Sequence, residues 1–109
     1  MEKVIKDGKV AVCFSPHYGA GWSTWADEKH RETLLFHPAI VNMVLNKKQE
    51  EITKAWMVEN LGEEYKYVYL GGADDLEVAW IDEGTSFRIH EYDGYESVEY
   101  YNIEDYFIA

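Results

Sequence analysis

Asp93-Gly94 stands between two runs of alternating apolar and polar residues, and it constrains the chain more tightly than any other dipeptide in it. A two-residue Asp-Gly connection favours the tight turn that joins antiparallel strands, because both positions tolerate positive φ. The turn fixes a register: Tyr92 faces Tyr95, Glu91 faces Glu96, His90 faces Ser97, Ile89 faces Val98, Arg88 faces Glu99 and Phe87 faces Tyr100. Arg88 then meets an opposite charge, and Phe87, Ile89, Val98 and Tyr100 share one face. One pair conflicts with this scheme. Glu91 and Glu96 face each other on the apolar side beside the turn, where like charges repel. The expectation is that both splay into water at the sheet end; a metal or cationic ligand is the alternative.

The alternation extends upstream. Tyr65–Leu70, Leu76–Ile81, Thr85–Tyr92 and Tyr95–Tyr101 read as four strands of a meander. A turn near Glu83-Gly84 sets Trp80 opposite Phe87 and Val78 opposite Ile89. Lys9–Phe14, apolar throughout its centre, reads as a further buried strand. Helical signals fill the interval. Thr24 is placed to cap a helix running to about Phe36, with Asp27 near its positive end. Pro38 suits the first position of a second helix. Asn46 and Gln49 have the spacing of a capping box for a third, over about Lys47–Asn60, which Gly62 stops. The predicted fold is therefore α+β: an antiparallel β-meander of about four strands plus one N-terminal strand, packed against two to three helices, in one domain over residues 1–109.

The net charge of −11 is unevenly spread. Residues 1–49 carry seven Lys/Arg against five Asp/Glu, and residues 50–109 carry three against sixteen. Such a surface repels phosphate backbones, which argues against direct nucleic-acid binding. The single Cys13 lies in an apolar run and reads as a buried small hydrophobe. The charged start Met1–Asp7 lacks the apolar segment of a secretion signal, and no apolar run has the length of a membrane span, so a cytoplasmic protein without membrane contact is expected.

Candidate chemistry concentrates in the loop Ser15–Trp25. It follows a buried strand and precedes a helix, the setting in which glycine loops offer backbone N–H groups to anions. Gly19 and Gly21 permit close approach. Tyr18, Trp22 and Trp25 offer rings for stacking, and Ser15, His17 and Ser23 offer hydrogen bonds. The other reading is a tight turn whose Trp residues fill the core. A second glycine loop, Gly71-Gly72-Ala73-Asp74-Asp75, is either an ordinary turn or a loop whose Asp residues receive ribose hydroxyls, an amine or a metal. Its adjacent acids lack the alternating spacing of a calcium loop. His17, His30, His37 and His90 have no zinc-ligand spacing. His30 reads as solvated and His37 as part of a helix boundary. Asp74, Asp75 and His17 could serve acid–base chemistry only if the fold brings them together, and no catalytic residue, metal or cofactor is assigned.

The strings Ser15-Pro16-His17-Tyr18-Gly19-Ala20-Gly21-Trp22-Ser23-Thr24-Trp25, Gly71-Gly72-Ala73-Asp74-Asp75-Leu76 and Phe87-Arg88-Ile89-His90-Glu91-Tyr92-Asp93-Gly94 resemble a family of small bacteriophage accessory proteins. The resemblance implies synthesis in a bacterial cytoplasm during infection and a role in countering host defence. The leading functional expectation is binding of a small nucleotide-like ligand through Ser15, His17, Tyr18, Gly19, Gly21 and Trp22, helped by Gly72 and Asp74. Tyr18 or Trp22 would stack on the base, the amides around Gly19–Gly21 would meet phosphate, and Arg31 or Arg88 would add charge if close. The site could lie within one chain or between two copies of it. The alternative is an inhibitor whose acidic hairpin face, including Glu96 and Glu99, engages a basic surface of a host protein.

Overall fold

The computed structural model describes residues 1–100 and 107–109. Strand β1 (Ile5–Lys6) turns at Asp7-Gly8, both with positive φ, into strand β2 (Lys9–Phe14). Val10, Ala11, Val12 and Cys13 are all fully buried, as a run apolar on both faces requires. Helices α1 (Glu28–Phe36), α2 (Pro38–Leu45) and α3 (Lys54–Leu61) follow, and then strands β3 (Glu77–Asp82), β4 (Ser86–Tyr92), β5 (Tyr95–Glu99) and β6 (Phe107–Ile108). Among the described residues the strands form two antiparallel sheets, ordered β1-β2-β3 and β5-β4-β6. The fold is α+β.

The hairpin register is as expected, from Tyr92 against Tyr95 to Arg88 against Glu99. Strand β5 ends at Glu99, so the expected pair of Phe87 with Tyr100 is not formed and Tyr100 is exposed; Tyr101 lies outside the described residues. The single meander is not formed. Strand β3 pairs with β2, Val10 opposite Ile81 and Val12 opposite Ala79, and neither Trp80 nor Val78 meets β4. The reason is two-sided burial. Strand β3 is apolar on both faces, Val78 and Trp80 on one and Ala79 and Ile81 on the other. Its best partner is a strand with the same property, and β2 has it. The β4–β5 hairpin has one apolar face and takes the short β6 on its other edge, Phe87 opposite Phe107. Phe36 of α1 packs edge-on against Phe87 and Phe107, with centroids 6.0 and 6.4 Å away, and so joins the helix to the second sheet.

Tyr65–Leu70 is not a strand. It begins in a 3-10 turn, Glu63–Tyr65, and Tyr65 and Val68 are buried three residues apart, a turn spacing. The first predicted helix splits into a 3-10 turn, Ser23–Trp25, and α1, because the Thr24 hydroxyl is used elsewhere. His30 is buried against the Tyr65 ring, centroids 4.9 Å apart, instead of solvated. The proposed capping box is absent: the Asn46 amide donates to the Asn42 carbonyl, and Gln49 Nε2 donates to the Leu76 carbonyl. Helix α3 is capped by Thr53, whose hydroxyl accepts the Trp56 N–H, and it ends at Gly62.

Pro38 opens α2 as expected, and His37 caps it: Nδ1 accepts the Ala39 N–H at 3.1 Å. Burial lowers the His37 pKa below the ordinary imidazole value. The neutral ring holds the cap, so its contribution is full above that ordinary value and is lost as pH falls below it. The urea midpoint is expected to fall between about pH 7.5 and about pH 5.5, and the fall should shrink in His37→Asn, which caps without titrating near neutrality. An equal fall in both proteins would remove His37 as its source.

Candidate functional site

The geometry of the loop Ser15–Trp25 is set by a side chain from the other end of the chain. Glu96 on β5 is fully buried. Its Oε1 accepts the Ser15 N–H at 2.9 Å. Its Oε2 accepts the Trp22 N–H at 2.8 Å, the Thr24 N–H at 3.1 Å and the Thr24 hydroxyl at 2.6 Å. The Glu96 N–H in turn donates to the Ser15 carbonyl at 2.8 Å. A bending glycine loop aims several amides at one point, and such a nest attracts an anion. Here the anion is the protein's own carboxylate. Glu91 accepts the Gly94 N–H at 2.8 Å, so each carboxylate of the facing pair has its own donors. The expectation that Glu96 splays into water is overturned, and its bonds need no metal.

Two further loops close on the same segment. The Gly19 N–H donates to the Asp93 carbonyl at 2.8 Å. Gly94 packs directly on the Ala20 backbone, too close to admit a Cβ. On the other side, a Cβ on Gly72 would lie 2.9 Å from the Ser15 hydroxyl and 3.0 Å from the carbonyl oxygens of Ala20 and Gly21. Gly72 also has φ +138°, a conformation other residues rarely adopt. Glycines thus let the hairpin turn and the Gly71–Asp75 loop grip Ala20-Gly21 from two directions.

This packing divides the predicted site. Trp22 is fully buried and its Nε1–H donates to the Leu34 carbonyl at 2.8 Å, so it is a core residue and offers no ring for stacking. Ser15 is buried with its hydroxyl donating to the Ala20 carbonyl at 3.2 Å, and Gly21 is buried beneath Trp25. Of the amides expected to cradle phosphate around Gly19–Gly21, that of Gly19 is engaged internally, as are those of Ser15, Trp22 and Thr24. His17 is exposed, with Nε2 3.7 Å from the Glu77 carboxylate, and it does not line the cleft that holds Asp74 and Asp75. Arg88 is ion-paired to Glu99 at 2.8 Å in a separate pocket. The acidic hairpin face likewise loses both of its named carboxylates, Glu96 to the interior and Glu99 to Arg88.

Four of the predicted residues do converge. Tyr18, Gly19, Gly72 and Asp74 line one cleft of about 360 Å³. Tyr18 is 69% exposed and rests against the Tyr95 ring, centroids 4.9 Å apart. The cleft also has walls that sequence reasoning missed: Glu50, Ile52 and Thr53. They belong to the 3-10 turn Gln49–Glu51 and the start of α3, a stretch that reads locally as helix interior. Glu50, Asp74 and Asp75 line the cleft, and among the described residues no Lys, Arg or His does. Its chemistry is that of hydrogen-bond acceptors beside an exposed ring.

Cys13 is buried, and burial pushes its thiol up to about 12, so it is inert as expected. No group of three His, Cys, Asp or Glu placed to hold a metal occurs among the described residues. No helix among them is long and apolar enough to cross a membrane. Compared with family models, with curated proteins and with solved structures, the chain matches none.

Proposed function

We propose that the chain is a small-ligand binding protein whose cleft between Tyr18–Ala20 and Leu70–Asp75 takes the ring and hydroxyl face of a nucleotide-like molecule. One observation carries the reading: glycine packing brings an exposed aromatic ring and the acceptors of Glu50, Asp74 and Asp75 to one cavity. A flat base stacks on Tyr18, and ribose hydroxyls or an exocyclic amine donate to the carboxylates. Phosphate is not held in this cleft, because its lining is acidic. In the phage setting that the sequence resemblance implies, such a protein would act by sequestering a nucleotide-like signal of host defence.

Calorimetry with a panel of nucleosides and their mono- and triphosphates tests this. Nucleosides should bind, with affinity falling as phosphates are added at low salt, since like charges are brought together. Stacking on one ring contributes about 1–3 kcal/mol, so Tyr18→Ala should weaken binding by about tenfold or more. Tyr18 and Asp74 are exposed, so Tyr18→Ala and Asp74→Asn should fold normally. No heat with any nucleoside, or unchanged affinity in both variants, would refute the proposal.

A further inference from the structure

The chain has only two arginines, Arg31 and Arg88, and both line the same pocket. Arg31 comes from α1 and Arg88 from β4, far apart in sequence. Among the described residues the pocket, about 160 Å³, is also lined by Ser23 and Thr24 and by the apolar Ile89 and Phe107. Arg31 Nε is buried and has no hydrogen-bond partner among the described residues. A buried donor left unpaired costs about 1–3 kcal/mol, more when it carries charge. Arg88 Nε donates to Glu99 at 2.8 Å, which fixes its guanidinium at the pocket wall. Glu99 offsets the charge of Arg88, while among the described residues Arg31 has no such carboxylate partner, so the pocket keeps a net positive wall.

From this we infer that the pocket is a binding site for one phosphate group, either free or at the end of a larger molecule. Arginine's planar fork matches the oxygens of phosphate, and Arg31 Nε supplies a donor that has no partner among the described residues. The volume suits a single phosphate and is below that of pockets which enclose drug-sized molecules. Thr24 Oγ1 gives its proton to Glu96, so toward the pocket it offers only lone pairs. Phosphate is therefore held chiefly by the two arginines, with the Ser23 hydroxyl beside them. The site is separate from the Tyr18 cleft, although one loop contributes to both: Tyr18–Ala20 to the cleft and Ser23–Thr24 to the pocket.

Titration of the full chain with inorganic phosphate at low ionic strength tests the inference by two readouts. Calorimetry should show one saturable site, and NMR should show a downfield shift of the Arg31 Nε–H as the bond forms. Arg31→Gln should weaken phosphate binding by at least about tenfold, and Tyr18→Ala should leave it unchanged, which keeps this test independent of the cleft. Arg88→Lys keeps the charge but loses the fork, and should bind more weakly than wild type. Comparing inorganic phosphate with a nucleoside monophosphate separates the free ion from a terminal group. No shift of the Arg31 Nε–H at saturating phosphate, or an equal shift with chloride, would overturn the inference.

Discussion

Glu96→Ala is expected to lower the unfolding free energy by about 3–5 kcal/mol, because it strips the acceptor from three backbone N–H groups in a closed loop. The Ser15, Trp22 and Thr24 amides have their bonds to that carboxylate at 2.8–3.1 Å and would be left facing a void. Glu96→Gln preserves shape and one acceptor oxygen but turns an NH₂ group toward amide donors, and a loss of about 2 kcal/mol is expected. Urea denaturation measures both. A loss below about 1 kcal/mol for the alanine variant would mean that water satisfies the amides, and that the loop does not depend on the carboxylate.

The second large effect is at Trp22. Removal of its fully buried indole in Trp22→Ala should cost about 3–5 kcal/mol. Trp22→Phe refills much of the space but leaves the Leu34 carbonyl without its donor, and about 1–3 kcal/mol is expected. Trp25→Ala is the control. That ring is 43% exposed beside Tyr69, and its loss should cost about 1 kcal/mol or less. Near-equal costs for the Trp22→Ala and Trp25→Ala variants would contradict the assignment of one ring to the core and the other to the surface. The same contrast explains why Trp22 is unsuited to a binding test: its loss changes the whole loop.

What was legible in the sequence was local. Asp93-Gly94 dictates its hairpin register because the turn's backbone conformation leaves few alternatives. Pro38 opens α2 because its missing N–H costs nothing there. Both glycine loops carry residues that permit close approach, and Tyr18, Gly19, Gly72 and Asp74 line one cleft. What failed was long-range. Partner choice for β3 depends on which other strand is apolar on both faces, and neighbouring sequence cannot announce that. Tyr65–Leu70 has the composition of a strand, but its buried positions recur every third residue. Glu96 reads as a misplaced surface acid until its partners are known, and those partners are amides, which every residue has. The convergence of Arg31 and Arg88 is hidden for the same reason.

The ties that shape the loop reach across 81, 74 and 72 positions of chain. During synthesis, residues 15–24 leave the ribosome long before the residue that anchors them has been made. At ordinary translation speeds the gap lasts roughly 4–16 seconds. Until β3 has been made, β2, buried on both faces in the finished protein, has only the two-residue β1 as a strand neighbour. Nascent chains halted before residue 96 should therefore be open to proteases at Ser15–Trp25 and bound by chaperones, and protection should arrive only as the final segment clears the exit tunnel.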